Sequence, residues 1–233
     1  IQKAIDAAIG GETVQVSNGT YFENIIITKN ITLTSPFHLT QNEADIQNTV
    51  IDGSANGLPV VRIQGGASVN NAKIQGFTIQ NGLVASNGWG AGINVSIISF
   101  ASFENLIIKN NSALSGHGGG ISTYYGTNLD IKNVTFQNNS TSDMGGAIYV
   151  FATTINVSNT KFLNNSAACG AAICFHETSN GNTRISNNLF YMNNGWSIIH
   201  GQDMILVNNT FVQNTGRINL FGNSLILNSI ITS

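Results

Sequence analysis

The sequence predicts an all-β fold, a single chain wound into a parallel β-helix, and three observations carry that prediction. First, a phrase made of a glycine turn, a short apolar strand, a loop and a second strand ending in F-x-N-N occurs twice between Gly116 and Asn165. Second, an asparagine opens the second strand at Asn105, Asn133, Asn159, Asn187, Asn208 and Asn228, with Gly76 in the earliest copy. The steps are 29, 28, 26, 28, 21 and 20 residues, a period that marks a solenoid. Third, the apolar runs are four to six residues long and alternate with period two. An α-solenoid would need helices of about ten or more residues at 3.6 spacing.

Once the asparagines are aligned, other columns follow. Two residues earlier stand Ile74, Phe103, Ile131, Val157, Ile185, Leu206 and Ile226; three residues later stand Ile79, Ile108, Phe136, Phe162, Phe190, Phe211 and Ile231. Six residues later come Gly82 and then Asn111, Asn139, Asn165, Asn193 and Asn214. Equivalent residues of successive coils lie one strand spacing apart, about 4.8 Å. The apolar columns should therefore fill the interior, and the asparagine columns should bond amide to amide at the turns.

Taken in order, the chain reads as one domain over 1–233. Residues 1–11 form an N-terminal cap: Ile1 to Ala8 is a short helix with Ile1, Ile5 and Ile9 on one face, stopped by Gly10 and Gly11. It is expected to lie across the apolar end of the first coil. Residues 12–71 are irregular early coils with the longest irregular insert over Pro36 to Gln47, and 72–233 are regular coils. The loops LVASNG before Trp89 and ETSNGNT after His176 lie on one side. The chain stops at Ser233 after a strand, so the natural protein is expected to continue. Ile1 starts in mid-phrase, so a leader is expected to have been removed or left out.

At 233 residues and 42% hydrophobic the chain can bury a continuous core. Charged residues are only 9%, against about 25% in ordinary domains; solubility rests on Asn, Ser, Thr and Gly, which suits a secreted or cell-surface protein. A net charge of -2 provides no basic footprint for nucleic acid. No run approaches the roughly eighteen apolar residues of a membrane span. Of ten N-x-S/T sequons, Asn18, Asn94 and Asn138 are the expected glycan acceptors.

The opening IQKAIDAA…GTYFENIIITKNITL, with TVIDGS and GFTIQNG after it, resembles the N-terminal part of secreted right-handed parallel β-helix proteins of the pectin-lyase-like superfamily. The phrases GGGI at Gly118, GGAI at Gly145 and GAAI at Gly170, followed by FQNN, FLNN and FYMN, are similar to the repeats of chlamydial polymorphic membrane proteins and related surface adhesins. The resemblance implies the fold strongly and function weakly, because these phrases are what the coil itself requires.

A lyase or hydrolase on this scaffold would need clustered acids on adjacent coils. No two carboxylates share a column on neighbouring regular coils, and Glu43, Asp45 and Asp52 sit around an irregular loop. Gly116-His117-Gly118 and Arg217-Ile218 are similar to two polygalacturonase motifs, but no paired aspartates precede His117 in suitable positions. His117 fills the slot of Trp89, Met144, Cys169 and Asn194, which explains its glycines without catalysis. Alternation counted from Ile173 and Ile198 sends His176 outward and His200 inward, so the two cannot share a metal. Cys169 and Cys174, five apart, read equally as an oxidised pair or as two free thiols. No catalytic residue, metal or cofactor is assigned.

The reading is a non-catalytic structural or adhesive module that self-associates or docks on a flanking domain, with surface glycans as a further partner class. The alternative is a carbohydrate-active enzyme or glycan-binding module. The outward slot four after the asparagine turns apolar at Leu163, Tyr191 and Val212, and the slot one before it at Val207 and Leu227. On the other strand, Tyr124, Tyr149, Phe151 and Ile199 point outward by the same count. Together these nine residues are the expected interface, since large exposed apolar patches mark contact surfaces.

Overall fold

The computed structural model describes the whole chain except residues 55–56, 67–68, 70, 86–87, 97–99, 126–127, 178–182 and 233. Parts of the LVASNG and ETSNGNT loops lie outside the described residues.

Among the described residues, every strand pairing is parallel, and the strands stack into three long sheets and a short fourth. One regular coil shows the path: Ile121–Tyr124 in sheet C, Asn128–Lys132 in sheet A, Thr135–Gln137 in sheet B, Ser140–Thr141 in the short sheet D, and back to sheet C at Ile148–Phe151. This is a parallel β-helix. The register matches the columns: Phe103 pairs Ile131 and Ile131 pairs Val157 in sheet A, and Phe136 pairs Phe162 and Phe162 pairs Phe190 in sheet B.

The inward columns form one core. Phe136, Phe162, Phe190 and Phe211 stack with centroids 5.2, 4.7 and 4.4 Å apart and planes within 5° of parallel, all but hidden from solvent. At the turn after sheet B, Asn111, Asn139, Asn165, Asn193 and Asn214 make a ladder in which each Nδ2 donates to the next Oδ1 at 3.0 Å. The same oxygens accept backbone N–H groups, and the same nitrogens donate to carbonyls of the preceding coil, as Asn139 does to Ile108 at 2.8 Å. Such complete satisfaction is what a buried amide requires. A second buried ladder, Asn188 to Asn209 at 3.0 Å, was not expected. The slot used for alignment is a different structure. Asn105, Asn133, Asn159, Asn187 and Asn208 have φ between 51° and 57°, with Gly76 at 81°. Asparagine is chosen there for the left-handed turn, and its amide contacts are exposed, as Asn133 to Asn105 at 3.2 Å.

Three expectations need correction. The cap helix covers Gln2–Ala7, and Ile5, Ala8 and part of Ile1 pack on the core; Ile9 lies past the helix and is 68% exposed. Lys29 Nζ donates to the carbonyls of Ile5, Asp6 and Ala8 at 3.1, 2.7 and 2.6 Å, which satisfies the helix end. The insert is not irregular but holds two helices, Phe37–Thr40 and Glu43–Asn48. The second starts on Asn42, whose side chain accepts from Ala44 N. Finally, a register shift between Ser197 and Ile199 puts Ile198 and Ile199 both inside. Ile199 pairs Ile173 in the core column, so it does not face solvent, and His200 pairs Cys174 on the outer face, so it does not point inward. A β-bulge reverses the parity of everything after it.

Candidate functional site

Four of the sheet C strands, those starting at Ile93, Ile121, Ile148 and Ile173, are entered by one repeated turn. Gly90, Gly118, Gly145 and Gly170 have φ of 65°, 74°, 74° and 62°. A Cβ there would come within 2.2 to 2.6 Å of the carbonyl oxygen three residues on, which only glycine avoids. The residue before the glycine is Trp89, His117, Met144 or Cys169, with Trp89 bridged to His117 and Met144 to Cys169. Asn194 is not in this column: it bridges Ser166, and the shorter last coils omit the turn. The turn lays these side chains over the outer face of sheet C, against the residue five later.

The result is an aromatic flank. Trp89 meets Tyr124, His117 and Tyr149 edge-on at 4.6, 5.2 and 5.5 Å, and His117 stacks on Tyr149 at 4.4 Å. Tyr149 points outward as expected, yet the two rings cover it to 2% exposure, so it supports the surface instead of presenting it. Beside it Tyr124, Phe151 and His176 stack at 5.0 and 5.5 Å with planes within 15°. Tyr125, 50% exposed, closes on both Tyr124 and Phe151. Further along, Arg217 lies 5.1 Å over Trp196, and His200 contacts Trp196 and Phe221. Sequence reasoning named Tyr124, Tyr149 and Phe151 but missed Trp89, Tyr125, Trp196 and Phe221. The five-residue offset across each glycine turn was the signal for Trp89.

His176 and His200 thus share the outer face, against expectation. Among the described residues no three His, Cys, Asp or Glu side chains are grouped to hold a metal ion. His117 Nδ1 is 3.2 Å from Asp143 Oδ2, off the hydrogen-bond direction. Burial holds His117 below the ordinary histidine range, with Asp143 acting the other way, and burial lowers His200 as well.

Three of the eleven carboxylates have partners that hold them ionised. Asp45 accepts from Thr40 and Asn18, which keep it below its ordinary range. Asp52 is pushed up by burial but held low overall by Gln80, Ser54 and Asn81. Glu104, likewise opposed by burial, is held low by Lys73 at 2.8 Å. Asp45 and Asp52 thus have separate hydrogen-bond partners.

The remaining interface candidates fall on other sides. Leu163, Tyr191 and Val212 form one column on the outer face of sheet B, and Val207 and Leu227 pair on sheet A. Nine residues read as one interface are therefore spread over three faces and the core. Of the sequons, Asn18 and Asn138 are exposed and Asn94 is half-buried. Asn18 Nδ2 donates to Asp45 at 2.8 Å and Asn94 Nδ2 to the Trp89 carbonyl at 2.9 Å, bonds a glycan would displace.

Residues 133–150 match the Chlamydia polymorphic membrane protein (Chlamydia_PMP) repeat. The match covers one repeat. The pectin methylesterase PemA from Erwinia chrysanthemi is similar in structure, with a TM-score of 0.63 over 100% of this chain and 86% of that chain at 12% identity. A pectin methylesterase from Aspergillus niger gives 0.59 over 99% and 81% at 12% identity, and one from Yersinia enterocolitica 0.52 over 99% and 89% at 11%. At such identity the likeness is one of fold, the right-handed parallel β-helix. No curated protein matches the chain significantly.

Proposed function

We propose that this chain is a non-catalytic adhesive module of a secreted or cell-surface protein, and that the sheet C flank binds polysaccharide. The observation that carries the reading is the aromatic flank from Trp89 to Phe221, which changes identity from coil to coil and is not needed to fill the core. Rings near Asn94, Glu177 and Arg217 offer apolar area beside hydrogen-bonding groups, the combination that sugars engage. The separate commitment of Asp45, Asp52 and Glu104 supports the non-catalytic half. The test is retention of the purified chain on immobilised pectate, alginate and chondroitin, alongside assays for methanol release and for new reducing or unsaturated ends. Turnover of any of these polymers would replace the adhesive reading with the enzymatic one.

The same reading includes self-association through the Leu163, Tyr191 and Val212 column. Light scattering on the parent and on the Leu163→Lys, Tyr191→Lys, Val212→Lys triple variant tests it. A larger parent that becomes monomeric supports assembly on this face, and two equal monomers contradict it.

A further inference from the structure

The glycine turn that opens four of the sheet C strands sets one residue against another five positions later. In the first such coil Asn94 Nδ2 reaches the Trp89 carbonyl at 2.9 Å. In the coil at Gly170 the return is tighter: a Cβ on that glycine would lie 2.4 Å from Cys174 Cβ. Both partners of this coil are cysteines, Cys169 and Cys174, and their sulfurs are 3.9 Å apart. The corresponding pairs in the other coils, Trp89 with Asn94, His117 with Ser122 and Met144 with Tyr149, share the geometry without that chemistry.

The two thiols have unlike surroundings. Cys174 is 1% exposed, in the outward column between Tyr149 and His200. Cys169 is half-buried, with Ser197 Oγ 3.5 Å from its sulfur. Hydrogen bonds from the Cys174 thiol and the Ser197 hydroxyl bring Cys169 down to about 7, against burial and the Asp143 charge. The bond to Cys169, followed by burial, pushes Cys174 up. Near neutral pH the accessible sulfur is therefore the nucleophile, and the hidden one keeps its proton.

We propose that Cys169 and Cys174 are a reversible redox pair, in which Cys169 attacks an external low-molecular-weight disulfide and Cys174 resolves the adduct into an intrachain disulfide. In the first step the Cys169 thiolate displaces one thiolate from the external disulfide and forms a mixed disulfide. In the second, Cys174 loses its proton to the medium and its sulfur attacks Cys169 Sγ, expelling the other half of the reagent as a thiolate. Both cysteine sulfurs are oxidised, the external disulfide is reduced to two thiols, and the protons balance. The sulfurs close from 3.9 Å to about 2.05 Å. A small external dithiol reverses the sequence.

The experiment exposes the reduced chain to oxidised glutathione near neutral pH, quenches with acid, alkylates free thiols and maps the products by mass spectrometry. The expected product is a Cys169–Cys174 disulfide with no retained glutathione, restored to two thiols by dithiothreitol. Cys174→Ala should stop at a glutathione adduct on Cys169. Cys169→Ser should leave Cys174 reacting about tenfold or more slowly. Circular dichroism checks that each variant is folded. Should a variant misfold, brief iodoacetamide labelling of the wild type serves instead, and it should modify Cys169 before Cys174. Persistent glutathione on the wild-type chain, two unreacted thiols in the folded protein, or faster labelling of Cys174 would each overturn the proposal.

Discussion

Two sets of aromatic rings run along this coil, one inside and one outside, and they differ in regularity. Inside, phenylalanine repeats at Phe136, Phe162, Phe190 and Phe211, and the rings lie within 5° of parallel. Outside, Trp89, His117, Tyr124, Phe151, His176 and Trp196 follow no fixed identity, and edge-on contacts mix with stacks. The inner set is what the coil needs, because a repeated cross-section is filled best by a repeated side chain. The outer set is not demanded by the stack. Aromatic residues that depart from the repeat while remaining clustered are therefore the ones to read for function.

The largest expected effect is at the inner set. Phe162→Ala should cost about 3 to 5 kcal/mol of unfolding free energy in denaturant melts, whereas Lys161→Ala beside it, exposed, should be near neutral. Asn165→Leu should follow, since it strips Asn139 N and Nδ2 of their shared acceptor and leaves the Phe136 carbonyl without its donor. Asn139 Nδ2 keeps the Ile108 carbonyl, so the change should cost on the order of 1 to 3 kcal/mol. On the outer flank Phe151→Ala should cost less, about 0.5 to 1.5 kcal/mol for the lost ring pairs beyond area. Equal losses at Phe162 and Phe151 would break the comparison. The smallest effect is expected for Asn159→Gly: φ is 51° and the residue is exposed, so glycine should fit within a few tenths of a kcal/mol.

Acid provides a separate probe of the outer set. The folded state holds His117 below its ordinary value of about 6.5. The unfolded chain therefore binds the proton more readily, and stability falls as pH drops through about 6.5 and below. Melting temperatures from neutral to mildly acidic pH should fall less steeply in His117→Gln than in the parent. An identical slope would remove His117 as a contributor.

Most of the fold was legible because a solenoid writes its cross-section repeatedly. The Phe136 and Ile131 columns fixed strand register, and the Asn139 column marked a turn. Legibility failed where the repeat broke. The bulge at Ser197 and Ile199 reversed the count for Ile199 and His200, and the helices at Phe37 and Glu43 belong to no repeat. The outward apolar residues were readable by parity, but parity alone could not show that sheets A, B and C face different ways. Nor could it show that Trp89 and His117 fold back to cover Tyr149. Asn133 and Asn139 look alike in sequence, yet one is selected for a left-handed turn and the other for a buried bond.

The most direct test of the adhesive reading is an equilibrium binding isotherm on immobilised pectate, alginate and chondroitin. The parent would be compared with a Tyr124→Ala, Phe151→Ala double variant whose fold is verified by circular dichroism. The account predicts saturable retention of the parent on at least one polymer, weakened about tenfold or more in the variant, equivalent to roughly 1.4 kcal/mol or more, with no polymer degraded. Retention unchanged in the folded variant, or no retention of the parent on any of the three, would contradict it.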